Sequence, residues 1–173
     1  MDARETPVSL LVHAYNEVSK ADEVLKGLQE LEKRGIFTVL NAAVLMRDAD
    51  GKDTWKETED VDAKRGALFG AVAGGLIGLL GGPAGMIVGA AAGAAAGGVA
   101  AHRIDMGFSD EYLKDIQQSL TPNSSALIAL VEHEWVERVI QELEVHEGKL
   151  FRQALKADIA AQIAAFDNDK AAE

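Results

Sequence analysis

Apolar and polar positions alternate in recognisable ways along most of the chain, and one long stretch breaks the pattern. Val8 to Tyr15 (VSLLVHAY) is a short apolar run behind Pro7 and reads as a buried strand. Asn16 then offers an N-cap. Val18, Ala21, Val24, Leu25, Leu28 and Leu31 recur at helical spacing, predicting a helix from Glu17 to Lys33 that stops at Gly35. A second strand is predicted over Phe37 to Arg47, with a bulge near Asn41. Asp50-Gly51 marks a hairpin turn. The returning strand, Thr54 to Glu59, sets Trp55 and Glu57 against Lys56 and Thr58, the pattern of a half-exposed edge.

Beyond the glycine-rich stretch, Ser109 is placed to cap a helix from Asp110 to Leu120, which Thr121-Pro122-Asn123 ends. Ser125 to Val131 reads as a strand. Glu134 to Glu147 reads as a helix with Trp135, Val136, Val139, Ile140 and Leu143 inward, closed by Gly148. Lys149 to Leu155 is the last predicted strand. An Ala-rich helix from Asp158 to about Phe166 and a frayed tail from Asp167 to Glu173 complete the chain. Setting aside the short helix at Ser109, the order is that of a split βαβ. The expected fold is therefore an α+β, ferredoxin-like sandwich interrupted by a glycine-zipper helical hairpin. Residues 1–65 and 102–173 would be halves of one discontinuous α/β domain, with the hairpin at 66–101 between them. Two separate small units would each bury too little surface.

The stretch from Gly66 to Ala101 carries no charged side chain over 36 residues. Gly66, Gly70, Gly74, Gly78 and Gly82 recur every four residues, and so do Gly85, Gly89, Gly93 and Gly97 after the Gly81-Gly82-Pro83-Ala84 break. Four residues is close to one helical turn, so each series lays a glycine groove along one side of a helix. These nine, with Gly75 and Gly98, would disfavour an isolated helix by roughly 10 kcal/mol if the single-residue cost simply added. Close approach of another helix, as in GxxxG packing, offsets such a cost. The nine in-register glycines are accordingly the expected oligomerisation surface.

Three destinations for this stretch are open. As a membrane-inserting hairpin its arms, Gly66 to Leu80 and Ala84 to Ala101, are near the lower length limit for a span. Lys64 and Arg65 before it, with His102 and Arg103 after it, would mark the membrane boundary on the cytoplasmic side. As a zipper inside a soluble homo-oligomer, it would suit its second arm, where Met86, Ile87, Val88 and Val99 are the large apolar residues. A disordered linker fits poorly with the strict register. Membrane association is the first expectation and a cytoplasmic assembly the second.

Composition narrows the partners. Hydrophobic residues make up 48% but aromatics only 5%, because alanine and glycine in the central stretch carry the total. Net charge is −11, with 14 acids against 6 bases from Ile104 onward. That balance argues against nucleic acid, whose phosphates need clustered Lys and Arg. It also weakens simple adhesion to anionic lipid. The absence of cysteine excludes disulfides, thiolate metal sites and cysteine nucleophiles. The N-terminus has no basic segment followed by an apolar one, so no signal peptide is expected.

Candidate chemistry is sparse. The glycine clusters do not fit GxGxxG, and no GK[ST] occurs, so a nucleotide site is rejected. His133 and Glu137 stand one turn apart within EHEWVE, but a zinc site needs a second histidine where Glu137 stands. A solvated helix start is the simpler reading. His146 fits a helix C-terminus. His13 and Tyr15 lie on one strand and are the pair available to line a sheet-face pocket in a small-molecule sensor or enzyme. No catalytic, cofactor or metal residue is assigned.

The strand Val8 to Tyr15, the charged strand to Asp62, the hairpin centred on Gly81-Gly82-Pro83 and the strand Ser125 to Val131 together resemble a known group. The chain looks like the bacterial family filed as domain of unknown function 1269, often labelled predicted membrane proteins. That resemblance implies a membrane label drawn from hydropathy, no assigned reaction and no catalytic residues. The expectation is a non-enzymatic homo-oligomer whose partners are its own copies and a lipid bilayer, with its α/β domain on the cytoplasmic side.

Overall fold

A computed structural model of the chain describes residues 8–58 and 107–155. The glycine stretch, its flanking Lys64, Arg65, His102 and Arg103, and the expected Ala-rich C-terminal helix lie outside the described residues. So do the side chains of Trp55 and Glu57.

The elements run β1 (Val8–Tyr15), α1 (Lys20–Lys33), β2 (Asn41–Arg47) and β3 (Asp53–Glu57) before the gap. After it come α2 (Asp110–Ser119), β4 (Ser124–Glu132), α3 (His133–Leu143) and β5 (Lys149–Ala154). All described strands join one α+β sheet in the order β3-β2-β4-β1-β5, every neighbouring pair antiparallel. β4, from beyond the glycine stretch, lies between β1 and β2, from before it. The two flanks therefore build one sheet.

Both faces of that sheet are covered, which is why β1 and β4 are apolar almost without interruption. Leu11, Tyr15, Val44, Leu127, Ala129 and Val131 face α1 and α3, packing against Val24, Leu28, Val136, Val139 and Leu143. Leu10, Val12, Ala43, Leu45, Ile128 and Leu130 face the other way, with Ile116 of α2 and Leu120 just after it. The short helix left out of the two-layer expectation thus supplies a third layer.

Several expected boundaries move, each for a physical reason. α1 begins at Lys20 rather than Glu17, and Asn16 is not its cap. The side chain of Ser19, at the N-cap position, makes no capping bond. Ser125 Oγ instead accepts from the Ala21 N–H at 3.1 Å and donates to the Glu17 carbonyl at 2.6 Å, so β4 supplies the cap from across the fold. β2 begins at Asn41, not Phe37. Phe37 is buried, yet its segment runs as a connection pinned by Glu32 Oε1, which accepts from the Val39 N–H at 2.9 Å. α3 ends at Leu143, short of Glu147, and the chain reaches β5 through a turn.

Other local expectations hold. Gly35 has φ +73° after the end of α1. Gly51, φ +78°, sits in a hairpin loop whose Asp48 Oδ1 accepts from the Asp50 and Lys52 N–H groups. Ser109 Oγ accepts from the Tyr112 N–H at 3.1 Å.

Candidate functional site

β1 sends Leu10, Val12 and Ala14 to one face and Leu11, His13 and Tyr15 to the other, as strand alternation requires. His13 and Tyr15 therefore do meet: their ring centroids are 4.4 Å apart, edge to face. They do not line an open pocket. His13 is 2% and Tyr15 1% exposed, and the turn after α3 lies over them. His13 Nδ1 and the Tyr15 hydroxyl are buried without a hydrogen-bond partner. Burial drives the His13 pKa down to about 4, opposed by a hydrogen bond to the Gly148 backbone and assisted by the nearby His146. Burial raises the Tyr15 phenol well above its ordinary value. Both groups are thus neutral at pH 7.

The other singled-out residues separate. His133 and Glu137 are both exposed, and Glu137 Oε1 accepts from Arg152 Nη1 at 2.7 Å. No cluster able to hold a metal ion occurs among the described residues. His146 lies just past the C-terminus of α3, where its N–H donates to the Leu143 carbonyl, in the turn over His13.

A cleft of about 240 Å³ opens beside α1, where the chain approaches β2. Leu25, Leu28 and Ala42 make its floor, and Gln29, Glu32 and Thr58 stand at its rim. Thr58 is fixed there by its N–H and Oγ, which both donate to the Ala42 carbonyl. Reading Phe37 to Arg47 as one strand hid this cleft. The unpatterned segment Thr38 to Leu40, flanked by Gly35 and a half-buried Glu32, was the signal available for it.

On the opposite side, Arg47 grips Asp53 through both Nε and Nη2, at 2.7 and 2.8 Å, and donates to the Leu120 carbonyl at the end of α2. The bond to Asp53 raises the pKa of Arg47 above its ordinary value. The Asn123 N–H donates to the Asp48 carbonyl at 3.1 Å. The β2–β3 hairpin and the α2–β4 turn, one from each flank of the glycine stretch, are locked together by these contacts.

The glycine stretch itself is where comparison with known proteins begins to speak. A family model described as protein of unknown function (DUF1269) matches residues 67–166. The chain belongs to the DUF1269 family. The matched span takes in most of the glycine stretch together with α2, β4, α3 and β5, and it begins after β1, α1, β2 and β3. No curated protein and no solved structure matches the chain. Among the described residues of this DUF1269 protein, no helix is long and apolar enough to cross a membrane.

Proposed function

We propose that this DUF1269 chain is a non-enzymatic, self-associating protein whose α+β domain positions a glycine-zipper hairpin, residues 66–101, at or in a membrane. The observation that carries this reading is the placement of β4 between β1 and β2. Residues 59–106 join Thr58 to Gly107, and the strands on both sides of them belong to the same sheet, so whatever the stretch does, it does tethered at both ends to one body. A hairpin suits that arrangement, because it begins and ends on the same side of whatever it enters. Gly66, Gly70, Gly74, Gly78 and Gly82 on one arm, with Gly85, Gly89, Gly93 and Gly97 on the other, form the contact grooves. Lys64, Arg65, His102 and Arg103 sit at the water boundary.

The finer fold assignment belongs to the same proposal. Within the sheet, the order β2-β4-β1-β5 is that of two interlocked βαβ crossovers, which supports a ferredoxin-like core with β3 added at one edge. A soluble assembly with the hairpins packed on one another is the second reading. It is favoured by the weak hydrophobicity of the second arm, with only Met86, Ile87, Val88 and Val99 as large apolar residues.

Liposome flotation of protein purified without detergent separates the two, with light scattering on the same sample. Flotation that survives high salt and alkaline wash is the expected outcome. A monodisperse oligomer that stays at the bottom selects the soluble assembly. Gly74→Leu together with Gly93→Leu is expected to abolish the oligomer and leave the α+β domain folded; an oligomer of unchanged size would sink the zipper idea.

A further inference from the structure

Gly148 sits so tightly on β1 that a side chain has no room there. A Cβ at this position would lie 2.6 Å from the Ala14 carbonyl oxygen, 2.8 Å from His13 Nε2 and 3.0 Å from Tyr15 Cδ1. The turn at 144–148 between α3 and β5 is therefore seated directly on the His13 ring, which hydrogen-bonds to the Gly148 backbone. The other ring nitrogen, Nδ1, is buried without a partner.

We propose that His13 is an acid-sensitive clasp: its neutral imidazole holds the α3–β5 turn and β5 against β1, and its protonation releases them while the rest of the sheet stays formed. A neutral imidazole needs one donor bond and leaves Nδ1 as a weak, tolerable acceptor. The protonated ring carries two N–H groups and a full charge, and one of those donors points where nothing accepts it. An unpaired buried charge is expensive, so the structure yields at its weakest place.

The surroundings offer little relief. From β4, Leu127 stands opposite His13 in register, with Ser125 and Ala129 two residues to either side. From β5, Leu150 stands opposite, and Arg152 follows on the same face, already paired with Glu137 of α3. The turn contributes His146, a second imidazole that disfavours charge on His13, together with Glu144 and Glu147. On β1, the Tyr15 phenol stays neutral. The charged residues at the start of α1 are engaged with one another or with β3: Lys20 with Glu23, and Asp22 with Lys26 and Lys56.

The direction of the pH effect follows from burial. The folded His13 pKa, about 4, lies below the ordinary value of 6.5. Stability from the neutral ring is therefore complete above pH 6.5 and is lost as pH falls towards 4, because the opened state takes up its proton first. The opening is local because, among the described strands, β5 lies at the edge and is bonded to β1 alone, whereas β1 keeps β4 on its other side.

Amide hydrogen exchange of the full chain, read by mass spectrometry from about pH 7 to about pH 3.5 and corrected for intrinsic rates, tests the clasp. The His13 Cε1 proton is followed by NMR in parallel. Amides 144–154 are expected to exchange at least about tenfold faster as His13 titrates, while those of β2 and β4 keep their protection. His13→Gln, which retains an amide donor and does not titrate, should hold the turn closed through the same range. Should that variant fail to fold, His146→Gln serves instead, and its opening is expected at lower pH than in the wild type. Protection at 144–154 that survives His13 protonation overturns the proposal. Loss of β2, β4 and β5 protection at one common pH overturns it equally.

Discussion

Ser125 shows how much a single side chain can carry without any trace in local sequence pattern. Its hydroxyl is fully buried, accepts from the Ala21 N–H and donates to the Glu17 carbonyl, closing the start of α1 from β4. Ser125→Ala leaves the buried Ala21 N–H without its partner, at a cost of about 1–3 kcal/mol, while the Glu17 carbonyl keeps the Lys20 N–H at 3.4 Å. Urea denaturation should show that loss as a lower midpoint at unchanged slope. Asn16 looked like the cap because capping is read from neighbours in sequence, and a cap supplied from more than a hundred residues away leaves no mark nearby. Gly148 was misread for a similar reason. A glycine after a helical pattern suggests a C-terminal stop, whereas here the lack of a side chain serves the contact with His13 and Tyr15. The meeting of His13 and Tyr15 was legible, since residues two apart on a strand share a face. Their burial agrees with the reading of Val8 to Tyr15 as a buried strand, but the turn that covers them was not legible, because it depends on where α3 ends.

At the level of elements, the strands buried on both faces were the most legible. β1 and β4 are near-continuous apolar runs, and their predicted limits agree with the observed ones to within a residue or so. β2 was overextended at its start because Phe37 and Val39 look strand-like. The segment is held instead by a side chain–backbone bond from Glu32 and by the Leu40 N–H, which donates to the Leu130 carbonyl of β4. α2 was recognised as a helix but left without a role. Its Ile116 is fully buried against Leu10, Val12 and Leu45, on the sheet face opposite α1 and α3. Ile116→Ala is expected to cost about 2–5 kcal/mol, as for other large-to-small changes in a packed core. A thermal melt checks it: a shift of less than a degree or two would mean that α2 merely rests on the sheet. Arg47 adds a second hold on this helix at Leu120, tying it to the β2–β3 hairpin.

For the molecule as a whole, the sheet order joins strands from 8–58 and 107–155 into one sheet. Closing a flexible loop costs only slowly more as it lengthens. Replacing residues 66–101 by a Gly/Ser linker of the same 36-residue length should therefore leave a folded domain with an unchanged far-UV spectrum per ordered residue. It should also be monomeric. An unfolded product would place the glycine stretch within the core rather than outside it. That strands from both flanks would share one sheet was legible, because each flank alone is too small to bury a core. The cleft beside Thr58 and the third layer were not, because both arise from tertiary packing of segments with weak periodicity.

The position of β4 also governs the order in which this protein can come into being. Among the described strands β1 pairs with β4 and β5 alone, and both are translated after the glycine stretch. While that stretch emerges from the ribosome, β1 has no neighbour, and β2 has only β3. The glycine-rich segment thus meets water, lipid or a chaperone before the sheet that will tether it exists.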